Sequence, residues 1–217
     1  MYIIRNENKE KLESLPYFNL MAVRQLFGYN ETTARQTLTR WSRSGRIIRL
    51  KKDLYISRDF YLTHKADPDF PGFISAVIQP FSYLSLDYVL QTYGILTETT
   101  YPITGVTTKN TQAVINQFGT FSYSHIRSDL FGGYEGKTVF GVTVKQASLG
   151  KTLFDYFYFR STPAGLGMKD YSVAEDWRLN LEEFTAKDIK EWEYWVKKSR
   201  LNKMKAIAKN FKETIWK

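Results

Sequence analysis

Residues 30–56 read NETTARQTLTRWSRSGRIIRLKKDLYI. Asn30 is a residue type suited to an N-cap. Ala34, Leu38 and Trp41 follow it at helical spacing and define one apolar stripe. Gly45 suits the left-handed residue that closes a helix. Arg46 to Leu50 and Leu54 to Ile56 are then two apolar-basic segments joined by Lys51, Lys52 and Asp53, which predicts a tight hairpin. A helix running into a basic hairpin is the pattern of a winged helix-turn-helix. There the helix enters the major groove and the hairpin lies along phosphate or in the neighbouring groove.

The residues upstream complete that pattern. Glu7 to Leu15 predicts a first helix, closed by Pro16. Asn19 caps LMAVRQLF, whose Leu20, Val23, Leu26 and Phe27 form an apolar face. Gly28-Tyr29-Asn30 is a short turn into the next helix, as in a helix-turn-helix. With Ala34, Leu38 and Trp41 inward, the opposite face centres on Thr32, Gln36, Thr39 and Arg43, flanked by Thr33, Arg35 and Arg40. That face suits base edges: Gln pairs with adenine, Arg with guanine, and a Thr methyl meets the thymine methyl. Arg46, Arg49, Lys51 and Lys52 suit phosphate, which positions a protein without specifying sequence. A winged helix used only for protein contacts is the alternative.

The placement of charge says more than its total. The chain has 217 residues and a net charge of +9. Residues 1–66 hold 13 Lys/Arg against 6 Asp/Glu, or +7. Residues 67–185 hold 8 against 12, or −4, and residues 186–217 hold 10 against 4, or +6. Two basic ends around an acidic middle point to a polyanion, nucleic acid first. A lysine-rich solvated surface is the other reading of the C-terminal run. With 43% hydrophobic residues the chain can bury a core, so disorder is not expected over most of its length. The absence of cysteine excludes disulfides, Cys-ligated zinc, iron–sulfur clusters and a cysteine nucleophile. No apolar run reaches the length of a membrane span, and the first residues lack a secretion signal, so a cytoplasmic protein without membrane contact is expected.

The expected fold class is α+β: an N-terminal winged helix-turn-helix followed by a mixed α/β C-terminal domain ending in a long basic helix. The boundaries are 1–62 for the DNA-binding domain, 63–72 for a Pro- and Gly-containing linker, and 73–217 for the rest. Within the last part, Phe73–Ile78 is a short helix or strand, and Ser85 caps a helix that Gly94 ends. Residues 103–107, 119–126 and 138–144 read as strands. Leu149 to Phe159 reads as a helix, and Thr185, with Asp188 three residues on, caps a long helix to Phe211.

The order of motifs resembles the AbiEi family of abortive-infection antitoxins, from type IV toxin–antitoxin systems. Four features carry the resemblance. GRIIRLKKDLYI ends the N-terminal winged helix. YLSLDYVLQTYGIL is similar to the family's YISLESALSYHGL. ITGVTTKNT followed by FGTFSYSHI is similar to VTSVTTKR and GTFxYxHI. KQASLGKTLFDYFYFR is similar to a helix the family usually starts with Ala-x-Pro-Glu-Lys, although Leu149 and Gly150 stand in place of Pro and Glu. The resemblance spans roughly residues 17–205. It implies a cytoplasmic DNA-binding repressor that controls its own operon through inverted repeats. It also implies an antitoxin that counteracts a nucleotidyltransferase-like toxin encoded beside it, with the C-terminal domain tied to that effect.

Catalytic motifs fare less well. Gly150-Lys151-Thr152 sits where a P-loop would, but the glycine needed five residues earlier is Lys145, so a helix start with a solvated Lys151 is expected. Asp129 with Glu135-Gly136-Lys137 resembles a metal-dependent nuclease set, in a glycine-flanked segment that favours a hairpin turn. His64 and His125 lack metal spacing; His64 falls in the linker and His125 at a strand end. The aromatic run Phe154, Tyr156, Phe157, Tyr158 and Phe159 reads as core rather than a base-stacking platform. No cofactor, metal site or enzymatic activity is expected. The alternatives are a DNA-processing enzyme targeted by the winged helix, and a regulator whose C-terminal domain binds a ligand or partner.

Overall fold

The structure, a computed structural model, describes residues 2–96, 102–182 and 184–216, and for residues 2–6 the backbone alone. It is a mixed α+β protein. The chain divides into two compact units: Met1–Pro80 with Val114–Phe118 and Thr138–Thr143, and Phe81–Ala113 with Gly119–Lys137 and Val144–Lys217.

In the first unit α1 (Tyr2–Ser14), α2 (Leu20–Phe27) and α3 (Glu31–Arg43) precede a hairpin of β1 (Ile47–Lys51) and β2 (Leu54–Ser57). Each boundary has a local cause. The Asn19 side chain accepts from the Ala22 N–H at 2.9 Å, and Gly28, at φ +65°, closes α2. The Asn30 side chain accepts from the Thr33 N–H at 2.8 Å and starts α3. At its far end Gly45 (φ +68°) donates to the Ser42 carbonyl at 3.1 Å, and Arg46 to the Trp41 carbonyl at 3.0 Å. Those paired bonds are the Schellman closure, which satisfies the last carbonyls of a helix.

A third strand segment was not foreseen. Phe18 and Tyr55 exchange backbone hydrogen bonds at 2.8 and 2.9 Å, so the stretch between α1 and α2 pairs with the hairpin. Leu12, Phe18, Val23, Ala34, Leu38, Trp41 and Ile47 are buried together beneath it. Each such side chain removed from water contributes at most about 1.5–3 kcal/mol.

Residues 63–72, read as a linker, hold the end of α4 (Arg58–His64) and the start of α5 (Phe70–Ile78). Phe70 is buried, and Pro71 sits in the first turn of α5, where a missing N–H breaks no helical bond. Phe118 joins this part of the unit, 5.0 Å from the Tyr61 ring and 5.7 Å from Phe70. Phe140 lies 5.5 Å from Phe60 and 5.3 Å from Phe73.

A six-stranded sheet runs in the order β5-β6-β4-β3-β8-β7. Its strands are β3 (Ser82–Leu84), β4 (Ile103–Thr107), β5 (Gln112–Asn116), β6 (Gly119–His125), β7 (Tyr134–Val139) and β8 (Val142–Ala147). β3 runs antiparallel to β4 and parallel to β8, and β4 runs parallel to β6. The single strand expected over 138–144 is two strands. Phe140 (φ +49°) and Gly141 (φ +78°) reverse the chain between them, a turn with two left-handed residues. Glu135 and Lys137 therefore lie on β7, not in a turn.

Helices α6 (Leu86–Thr92), α7 (Leu149–Phe159), α8 (Val173–Asp176), α9 (Ala186–Ser199) and α10 (Asn202–Thr214) complete the second unit. Thr185 and Asp188 form the expected capping box at the start of α9. The long basic helix expected from there to Phe211 is instead α9 and α10. Arg200 takes a left-handed conformation (φ +59°), and Ser199 spans the break. The Ser199 hydroxyl donates to the Val196 carbonyl at 2.7 Å and accepts from the Leu201 N–H at 3.2 Å. The break lets Phe211 meet Trp192 at 5.7 Å and Phe157 at 5.6 Å in the core.

Candidate nucleic-acid interface

The helix period that buries Ala34, Thr37, Leu38 and Trp41 leaves Thr32, Gln36, Thr39, Arg40 and Arg43 exposed, with Thr33 half-buried. The Thr39 hydroxyl donates to the Arg35 carbonyl at 2.9 Å, which ties its oxygen to the helix and leaves its methyl for contact. Gln36, Arg40 and Arg43 make no hydrogen bond or ion pair among the described residues. They are polar groups on a capped helix with no side-chain partner among the described residues.

The remaining cations separate into two sets. Arg35 is held at both ends: 2.9 Å from Glu31 and 3.4 Å from Asp53 at the hairpin tip. The hydrogen bond to Glu31 pushes its guanidinium above its ordinary value. Arg46 pairs with Glu13 at 2.9 Å and lies 4.9 Å over the Trp41 ring. Burial lowers the Arg46 guanidinium and raises the Glu13 carboxyl, the latter helped by Asp59 and Glu10. The Lys51 ammonium donates to the Ile78 carbonyl at 2.5 Å, at the C-terminal end of α5, and burial lowers its value. These three side chains fasten the unit together. Arg49 and Lys52 remain exposed; Arg49 Nε donates only to the neighbouring Lys51 carbonyl, at 3.2 Å.

Beside the hairpin lies a groove lined by β1, the last residues of α3, α4 and residues 114–117. Arg58, given no role from the sequence, lines it, and its guanidinium sits over Gly45. The signal for Arg58 was absent because it depends on Val114–Phe118 folding back onto the first unit.

The catalytic candidates do not assemble. Asp129 pairs with Arg127 at 3.1 Å in a groove with Tyr194, Lys197 and Arg200, whereas Glu135 and Lys137 line another with Tyr93 and Gln146. Among the described residues no three His, Asp or Glu side chains gather where a metal ion could be held. The His125 Nδ1 faces the Lys109 carbonyl at 3.0 Å. His64 lies on α4, its ring tilted against those of Phe60 and Phe140 at 4.4 Å from each.

Lys151 is fully buried, not solvated. Its ammonium meets Asp155 at 2.5 Å and lies 4.7 and 4.5 Å over the rings of Phe154 and Trp195. Asp155 also accepts from the Tyr83 hydroxyl at 3.0 Å and the Ser85 hydroxyl at 2.9 Å. Burial, then Asp155, holds the Tyr83 phenol well above its usual range. The four groups satisfy one another in an enclosed site, an arrangement that fixes α7 against β3. Phe154, Tyr156 and Phe157 of the aromatic run are buried in the same core.

No helix among the described residues is long and apolar enough to cross a membrane. No known family model and no curated protein matches the chain.

Proposed function

We propose that this protein is a sequence-specific, double-stranded DNA-binding regulator whose first unit works as a winged helix-turn-helix. The observation that carries the reading is the exposed face of α3. Among the described residues the side chains of Gln36, Arg40 and Arg43 stand there unpartnered, and the carboxylates that flank α3 in sequence, Glu31 and Asp53, are both bound to Arg35. The Phe18–Tyr55 bridge and the β1–β2 hairpin following α3 support the winged-helix reading, in which α3 would be the reading helix. Gln36 and Arg43 read base edges with Thr32 and Thr39 beside them, while Arg40, Arg49 and Lys52 hold phosphate.

The motif order shared with AbiEi antitoxins extends the proposal. The protein acts in the cytoplasm as the antitoxin of a toxin–antitoxin operon. It represses that operon through inverted repeats and counteracts a nucleotidyltransferase-like toxin, with the second unit serving the antitoxin role.

Fluorescence anisotropy with the duplex upstream of its own gene, against a shuffled duplex, tests the first part. Gln36→Ala and Arg43→Ala are expected to lose about 1–3 kcal/mol of discrimination and little affinity for shuffled DNA. Parental discrimination by both variants overturns the assignment of the reading face. Co-expression with the adjacent reading frame tests the antitoxin part; unrelieved growth arrest from a toxic neighbour refutes it.

A further inference from the structure

The groove beside the hairpin has an unusual lining. Arg49, Lys52 and Arg58 are exposed within it, and no Asp or Glu lines it. Lys51 also lines it, but its ammonium is turned to the Ile78 carbonyl. Lys52 and Arg58 have no carboxylate partner among the described residues. Three cations without a compensating acid make a field that draws a polyanion.

The opposite wall is the tip of the β5–β6 segment, and it is firmly held. Asn116 Nδ2 donates to the Leu50 carbonyl at 3.1 Å, and the Phe118 ring is packed against Tyr61 and Phe70. On this anchored tip Ile115 is 80% exposed. An isoleucine so exposed adds nothing to the core, and it stands at the rim of a basic groove. Ser42 and Gly45, at the end of α3, line the same groove, so it continues from the face that carries Arg43. An anionic strand with apolar sugar edges matches both walls: phosphates on the cations and deoxyribose on the isoleucine.

We infer that this groove seats the DNA backbone next to the stretch read by α3, with Arg49, Lys52 and Arg58 on phosphates and Ile115 against sugars at the minor-groove edge. The inference rests on the DNA-binding reading above and adds a second contact surface to it. The hairpin and the 114–118 tip then grip the strand from two sides.

The test uses the full chain, its upstream duplex and a shuffled duplex, with anisotropy titrations between 50 and 200 mM KCl. Arg58→Gln is expected to weaken both duplexes alike and to make the log–log salt slope shallower by about 0.9. Its affinity loss across that range then shrinks by about 3.5-fold. Ile115→Asp sets a carboxylate against phosphate and is expected to weaken both duplexes by about fivefold. Both positions are exposed, so thermal melting should match the parent, and Lys52→Gln repeats the slope test. Parental binding by Arg58→Gln and Ile115→Asp, while Gln36→Ala loses discrimination, overturns the groove and leaves the α3 reading standing. If the parent binds neither duplex, both readings fall. If Ile115→Asp changes only the sedimentation of the protein, the tip packs on a second copy and the inference is wrong.

Discussion

The division of the basic residues into occupied and unoccupied sets predicts how steeply the proposed DNA binding responds to salt. Arg40, Arg49 and Lys52, the exposed cations assigned to phosphate, lie on α3 and the hairpin, and Arg58 joins them in the groove. Arg35, Arg46 and Lys51 are held by Glu31 and Asp53, by Glu13, and by the Ile78 carbonyl. Each phosphate neutralised adds about −0.9 to the slope of log K against log salt. Four contacts therefore give about −3.6, a loss of roughly 150-fold between 50 and 200 mM KCl. If the occupied three also reached phosphate, the slope would be about −6.3 and the loss roughly 6,000-fold. The measurement is anisotropy on a duplex of about 12 bp, near one helical turn, so that one copy binds. Arg40→Ala should make the slope shallower by about 0.9. Arg46→Ala should leave the slope unchanged and instead lower stability by about 1 kcal/mol, since its pair with Glu13 is partly exposed and its stacking on Trp41 is lost. A parental slope shallower than about −2, or an Arg46→Ala slope change without loss of stability, would refute the reasoning.

Three further outcomes follow from the second unit. A Cβ at Gly150 would stand 2.4 Å from the Asp188 carbonyl oxygen and 3.0 Å from the Trp192 nitrogen, both backbone atoms of α9. Gly150→Ala should force the helices apart and cost about 1–3 kcal/mol in urea denaturation followed by tryptophan fluorescence; an unchanged midpoint would contradict the packing. Lys151→Met leaves Asp155 buried without its cation and should cost about 3–5 kcal/mol, while adding Asp155→Leu should recover part of it. No recovery would show that Tyr83 and Ser85 need the carboxylate more than the ion pair does. The Tyr83 phenol keeps its proton in the folded state above the pH at which the unfolded chain ionises. Its contribution is thus complete below about pH 10 and lost as pH rises beyond it, by about 1.4 kcal/mol per unit. Tyr83→Phe should flatten the stability–pH curve above about pH 10, and a slope equal to the parent's would exclude the effect.

Local signals in the sequence were strong where one residue governs one boundary. Asn19, Asn30 and the Thr185–Asp188 pair start their helices as cap chemistry requires. The exposed face of α3 followed from the period that buries Ala34, Leu38 and Trp41. The Phe18–Tyr55 bridge was invisible because a single paired residue has no alternation to read. The break at Arg200 carries no glycine or proline; its only mark was Ser199, whose hydroxyl bridges it. Which cations are occupied depends on Glu13, Asp53 and Ile78, distant in the chain from the groups they hold. The burial of Lys151 did have a signal: Asp155, four residues on, is its counter-ion on an otherwise apolar helix.

The first unit takes Phe118 and Phe140 from segments that come well after Pro80 in the chain. They close over Tyr61 and Phe70, and over Phe60 and Phe73. A fragment ending at residue 80 would keep every side chain of α3 yet lack the lid of its own aromatic layer. The first unit is therefore not a cassette that a fusion or a truncation can lift out. It is finished only after the strands that supply those two rings have been synthesised, so the two units are made, inherited and lost together.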